Sequence, residues 1–157
     1  MKTKISISAL LIIFFSLSTL AQNLVVHDNI YFDQDGNPFT GKYKEYYASG
    51  SVKLEMDLNK GMKNGNVIMY FENGKIHEVY AYKQNLMDGL WLTFNEKNIK
   101  TAEANYLNDK KDGTWKIWDE NGMLVYEMQY KNGEKAGNWI KYNGKGEEIA
   151  RKSYIVN

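Results

Sequence analysis

Residues 113–130 read GTWKIWDENGMLVYEMQY, and this stretch decides the fold. Two segments rich in aromatic and branched residues, Gly113–Trp118 and Leu124–Tyr130, flank Asn121-Gly122. Asn-Gly favours the positive φ angles that tight hairpin turns require and bulky residues resist. Trp115 and Trp118 have opposite parity for a strand, a spacing that a helix would accept. Segment length and the glycine turn decide for a β-hairpin. If both tryptophans are buried, a bulge or packing on both sheet faces must reconcile them with a strand.

Outward from this stretch the pattern repeats. Gly41, Gly65, Gly89, Gly113 and Gly137 are each 24 residues apart, without insertion or deletion. Two positions on stand Tyr43, Val67, Trp91, Trp115 and Trp139; five positions on stand Tyr46, Tyr70, Phe94, Trp118 and Tyr142. Seventeen positions on stand Leu58, Tyr82, Tyr106, Tyr130 and Tyr154. Beyond residue 21 these columns hold 13 of the 20 aromatic residues, so the repeat, not one local site, dictates where aromatics fall. A second turn column reads Gly50, Gly74, Asn98, Gly122 and Gly146, and Asn98 is the mildest departure because Asn tolerates the left-handed region. Asn64-Gly65, Asp88-Gly89 and Asp112-Gly113 place the unit's other turn at the first glycine column. A period of this length signals an array in which each hairpin is stabilised by its neighbours. The fold expected is all-β: tandem 24-residue hairpins forming an open, elongated, twisted antiparallel meander. About ten strands would span ~48 Å.

The unit G-x-W-x-x-W-x-x-x-G, followed by E-x-x-Y and a polar turn, resembles the variant form of the MORN repeat; Gly113, Trp115, Trp118, Gly122, Glu127 and Tyr130 match it best. The resemblance covers roughly residues 30–157, with Asp35-Gly36-Asn37-Pro38-Phe39-Thr40-Gly41 as a lead-in. It implies hairpins stacked into an elongated sheet that serves as a scaffold or in protein or lipid contacts. Bacterial relatives of the variant type are often labelled antitoxin-like, which implies a toxin partner. Val67, Ala136 and Arg151 depart from the pattern, and the last two mark the final unit as a cap.

The N-terminal 21 residues read as a secretory signal: Lys2 and Lys4, an apolar stretch from Ile5 to Leu20, then Thr19-Leu20-Ala21 before the cleavage site. The stretch falls short of the roughly 20 apolar residues that span a bilayer. The organisation expected is a signal peptide at 1–21, a lead-in and capping strand at 22–40, and five repeats over 41–157 starting at 41, 65, 89, 113 and 137. The chain has no cysteine, which leaves neither a lipid-anchor site nor a disulfide, and places stability in packing and strand pairing. Loss of Lys2 and Lys4 leaves 18 basic against 19 acidic residues, a balance that implies neither nucleic acid nor an anionic membrane. The location expected is periplasmic or extracellular.

Catalytic, cofactor and metal sites find no motif. His27 and His77 are isolated, the serines beyond residue 21 are Ser49, Ser51 and Ser153, and no G-x-S-x-G occurs. Asp33-Gln34-Asp35-Gly36 fails as a calcium loop because Tyr31 and Lys42 would hold its first and twelfth positions. Gly144-Lys145-Gly146 reads as a hairpin turn rather than a phosphate loop. Two columns remain as candidate partner-binding residues: Trp91, Trp115 and Trp139, and the acids Glu103 and Glu127, with Glu55 in the same column. Stacked aromatics usually pack. On an open sheet they also offer a binding row. The acids read mainly as a solvated face neutralised by nearby lysines. The function expected is a non-enzymatic, exported interaction or scaffold module for a protein partner. The alternatives are an antitoxin-like or immunity protein and an envelope glycan- or lipid-binding module using the aromatic row.

Overall fold

A computed structural model describes residues 23–155; the signal segment expected at 1–21 lies outside them. A small hairpin, β1 (Val25–His27) and β2 (Ile30–Phe32), precedes the main sheet. The sheet runs β3 (Gly41–Tyr46), β4 (Val52–Asn59), β5 (Met62–Tyr70), β6 (Ile76–Lys83), β7 (Leu86–Phe94) and β8 (Lys100–Leu107). It continues through β9 (Lys110–Lys111), β10 (Gly113–Trp118), β11 (Leu124–Lys131), β12 (Glu134–Tyr142) and β13 (Glu148–Tyr154). Every neighbouring pair is antiparallel and follows chain order. Both β9 and β10 pair with β8, so they are two halves of one strand broken at Asp112. The expected open meander of ten strand positions is the fold observed, counted as 11 strands.

The two turns of the unit are not both where the glycines suggest. The second glycine column does form turns: the N–H of Gly50, Gly74, Asn98, Gly122 and Gly146 each donates to the carbonyl three residues earlier. Asn98 adopts φ 64°, as its place in that column requires. The first glycine column, in contrast, lies in or at the start of strands. The turns on that side fall upstream, at Lys60-Gly61, Gln84-Asn85, Asn108-Asp109 and Asn132-Gly133, all with positive φ. These are the two-residue turns whose twist suits a hairpin. What fixes the glycine column from Gly65 to Gly137 is a bulge. Pairing shifts from Met56↔Val67 to Leu58↔Lys63, which sets Asp57 against Gly65. There a Cβ on Gly65 would lie 2.9 Å from the Cβ of Asp57.

The residue before that glycine, assigned to the turn by sequence, instead holds the next turn. Thr40 Oγ1 accepts the N–H of Lys60 at 2.9 Å, and Asn64 Oδ1 accepts that of Gln84 at 3.3 Å. Asp88 and Asp112 accept those of Asn108 and Asn132 at 3.4 and 3.1 Å. Ala136 occupies this column in the last unit.

A second bulge, just before the Tyr46, Tyr70, Phe94, Trp118 and Tyr142 column, recurs in every hairpin. Strand alternation carries this column to the face opposite Trp115. Packing on both faces therefore resolves the parity of Trp115 and Trp118, and the extra residue of the bulge falls on the partner strand, at Val125.

One layer of sheet leaves little room for a core. Among the described residues Met56, Leu58 and Val67 form the buried cluster, closed over by Leu24, Tyr31 and Phe39 of the lead-in. Val67 stands where the next three units carry tryptophan, under that lead-in cover. No large side chain is fully buried among the described residues.

Candidate interaction faces of the sheet

The first face is set by cross-strand partners of the tryptophan column: Val67↔Tyr80, Tyr80↔Trp91, Trp91↔Ala104, Trp115↔Met128 and Trp139↔Lys152. On it the tryptophan and tyrosine columns interleave into one continuous ladder. Ring centroids lie 5.4 Å apart for Tyr80–Trp91, 5.9 Å for Trp91–Tyr106, 5.3 Å for Tyr106–Trp115 and 5.1 Å for Trp115–Tyr130. The series ends with Tyr130–Trp139 at 5.2 Å and Trp139–Tyr154 at 5.4 Å. These separations fall in the range where aromatic pairs add to simple burial. The indole N–H of Trp115 donates to the carbonyl of Asn105 at 3.0 Å, and that of Trp139 to Gln129 at 2.9 Å. The equivalent atom of Trp91 is buried and has no partner among the described residues.

Lysines lie over the ladder. Lys63 Nζ is 5.0 Å from the Tyr82 ring centre, Lys111 Nζ 4.2 Å from that of Trp115, and Lys135 Nζ 4.3 Å from that of Trp139. Lys152 lies 5.1 Å over Tyr154 and Lys141 5.7 Å over Tyr126. A shallow cavity of about 300 Å³ at this end is lined by Tyr126, Met128, Trp139, Lys141, Ala150, Lys152 and Tyr154, among others.

The second face carries the acid column. Lys44 reaches Glu55 at 2.6 Å, Lys100 reaches Glu103 at 2.6 Å, and Lys116 reaches Glu127 at 3.8 Å. The lysines do neutralise these acids, as their sequence spacing suggests. The unit-two member is Val79, flanked by Ile68 and Leu92, which interrupts the ionic row with an apolar one. The sequence candidates are therefore divided: Trp91, Trp115 and Trp139 on one face, Glu103 and Glu127 on the other. They do not form one site. Sequence reading missed the lysine column over the rings, although Lys63, Lys111 and Lys135 keep the 24-residue phase.

Of the residues considered for chemistry, His27 sits 3.0 Å from Asp28, while His77 lies against Phe71 with ring centres 4.3 Å apart. Ser49 and Ser51 face each other at 3.1 Å across a turn, and Ser153 donates to Asn138.

The match to known sequences is to the MORN repeat variant, over residues 39–59, 63–84 and 111–132. The chain belongs to the MORN-repeat-variant family. No curated protein matches it. Residues 85–110, between two of the matches, keep Gly89, Trp91, Phe94 and Tyr106 at the repeat positions, and β7 and β8 pair like the strands of the matched units. Their departures lie in side chains, such as Asn98 for glycine, and not in the backbone.

Burial of the ladder has a consequence at high pH. Packing raises the phenol pKa of Tyr82, Tyr106 and Tyr130 above the usual 10.0, with lesser contributions from Asp109 on Tyr82 and from neighbouring phenols. The unfolded chain then releases these protons first, so their stabilising effect is complete below about pH 10 and is lost as pH rises through the folded values. The urea midpoint should hold up to about pH 10 and fall as pH rises above it. Phenolate absorbance of the native protein should also lag behind that of the denatured chain. Coincident absorbance titrations would contradict the packing of the ladder.

Proposed function

We propose that the protein is a non-enzymatic interaction module that works outside the cytoplasm and presents the first face of its sheet to a protein partner. The observation that carries this reading is the face itself. An aromatic ladder crosses β6 to β13, while the lead-in covers only the β3–β5 end. Contiguous aromatic surface of this kind on a single layer is characteristic of a contact site. The export half of the reading rests on the Lys2–Ala21 pattern.

An enzyme gathers its distinctive residues at one irregular place, whereas here they recur with every repeat. Binding energy should be distributed, with central units contributing most. The test is capture of a partner from crosslinked cell envelope with the mature protein, followed by variants. Replacing residues 89–112 with a copy of 113–136 should preserve the fold and weaken binding in part. Ala at His27, His77 or Ser153 should leave binding intact. A measurable activity that one of those three changes abolishes, with the fold retained, would overturn the reading.

A further inference from the structure

The two faces handle positive charge differently. Across the middle rows of the second face, Lys42, Lys44, Lys100, Lys116 and Arg151 each meet a carboxylate. On the first face, Lys111, Lys135, Lys141 and Lys152 have no carboxylate within 4 Å among the described residues, and strands β8 to β13 place no acid on that face; Asp109, in the β8–β9 turn, lies at its edge near Tyr82. Their direct cross-strand partners are Tyr106, Tyr130, Tyr126 and Ala150, and Trp139. The same backbone supports Lys–Glu pairing on its other side, so the fold itself does not demand uncompensated lysines. A protein with nearly balanced charge has concentrated cations on its most aromatic surface.

From this asymmetry we infer that the β8–β13 end of the first face docks an acidic polypeptide segment. The inference rests on the interaction-module reading and gives its partner a chemistry. Carboxylates of the segment would pair with the lysines, and its apolar side chains would enter the shallow cavity between Lys141 and Lys152. Each lysine already lies on a ring, and an arriving carboxylate adds the counter-charge that the sheet leaves out. A glycan is the weaker occupant. Sugars stack on flat, open ring faces, whereas here lysines cover Trp115 and Trp139, and Trp91 and Trp115 meet edge to face at 89°.

The test is a titration of the purified protein, followed by tryptophan fluorescence, with poly-L-glutamate, polygalacturonate, and vesicles of phosphatidylglycerol and phosphatidylcholine. Poly-L-glutamate should bind most tightly and lose affinity as salt is raised. The combined Lys111→Gln, Lys135→Gln and Lys152→Gln variant should bind it about tenfold or more weakly. Arginine at the same three positions should restore binding, which separates charge from fold. Glutamine at Lys75, Lys97 and Lys145 on the hairpin tips removes equal charge and should change little. Equal losses from the two glutamine sets, tighter binding of polygalacturonate or vesicles, or no response to poly-L-glutamate would each overturn the inference. If a protein partner still crosslinks to the first face in that event, the interaction-module reading stands without it.

Discussion

Trp115→Ala should lower stability by about 2–3 kcal/mol, below the ~3–5 kcal/mol typical of a fully buried aromatic. The discount follows from the single layer, in which Trp115 is only partly buried. The loss remains large because the ring meets Trp91, Tyr106 and Tyr130 at 6.2, 5.3 and 5.1 Å and supports Lys111. Its indole N–H also holds the Asn105 carbonyl beside the bulge. Trp115 joins its own hairpin to the preceding unit, so its removal weakens an interface in an array whose stability resides in neighbour contacts. Urea denaturation followed by circular dichroism measures it. An unchanged midpoint would mean that the ladder is surface decoration and not the seam of the sheet.

A matched pair of glycines provides the second large effect. Gly61 and Gly133 occupy the same position in their turns, with φ of 77° and 91°. Asn85 and Asp109 hold that position elsewhere, so the turn itself accepts a side chain. Only at Gly61 is there no room. A Cβ there would strike Ile30 Cγ2 and lie 2.8 Å from the Tyr31 carbonyl oxygen, whereas at Gly133 the nearest atom is Lys110 Cβ at 3.9 Å. Gly61 also accepts the N–H of Tyr31 at 2.9 Å and donates to Phe39 at 2.7 Å, which pins the lead-in to the sheet. Gly61→Asn should therefore cost about 1–3 kcal/mol, as overpacking does, and expose the lead-in to protease. Gly133→Asn should stay within about 0.5 kcal/mol of the parent. Equal effects on the midpoint would contradict the docking of the lead-in.

Strand count, meander order and the turns at Gly50, Gly74, Asn98, Gly122 and Gly146 were legible because a strict period exposes them. The first glycine column was misread for a physical reason. Asn-Gly and Asp-Gly suit both a tight turn and a bulge, and only cross-strand register tells that Gly65 faces Asp57. The true turns, such as Gln84-Asn85 and Asn108-Asp109, are less distinctive in composition. Trp91, Trp115 and Trp139 were legible as one row. That Glu103 and Glu127 belong to the opposite face follows from alternation across two bulges, which sequence spacing alone does not reveal. The uncompensated lysines required knowing which charges meet. A column of Lys63, Lys111 and Lys135 looks like any solvated stripe until the neighbouring positions are seen to hold rings.

Ile117 and Leu90 allow the most direct measurement of where a partner sits. Their exposures are nearly equal, 39% and 40%, but Ile117 lies on the first face and Leu90 on the second. A photo-crosslinking amino acid placed at each position in turn, and activated in living cells, samples both faces under the same conditions. A discrete protein adduct is expected from position 117 and none from position 90. Adducts from position 90 alone, or none from position 117, would contradict a partner on the first face.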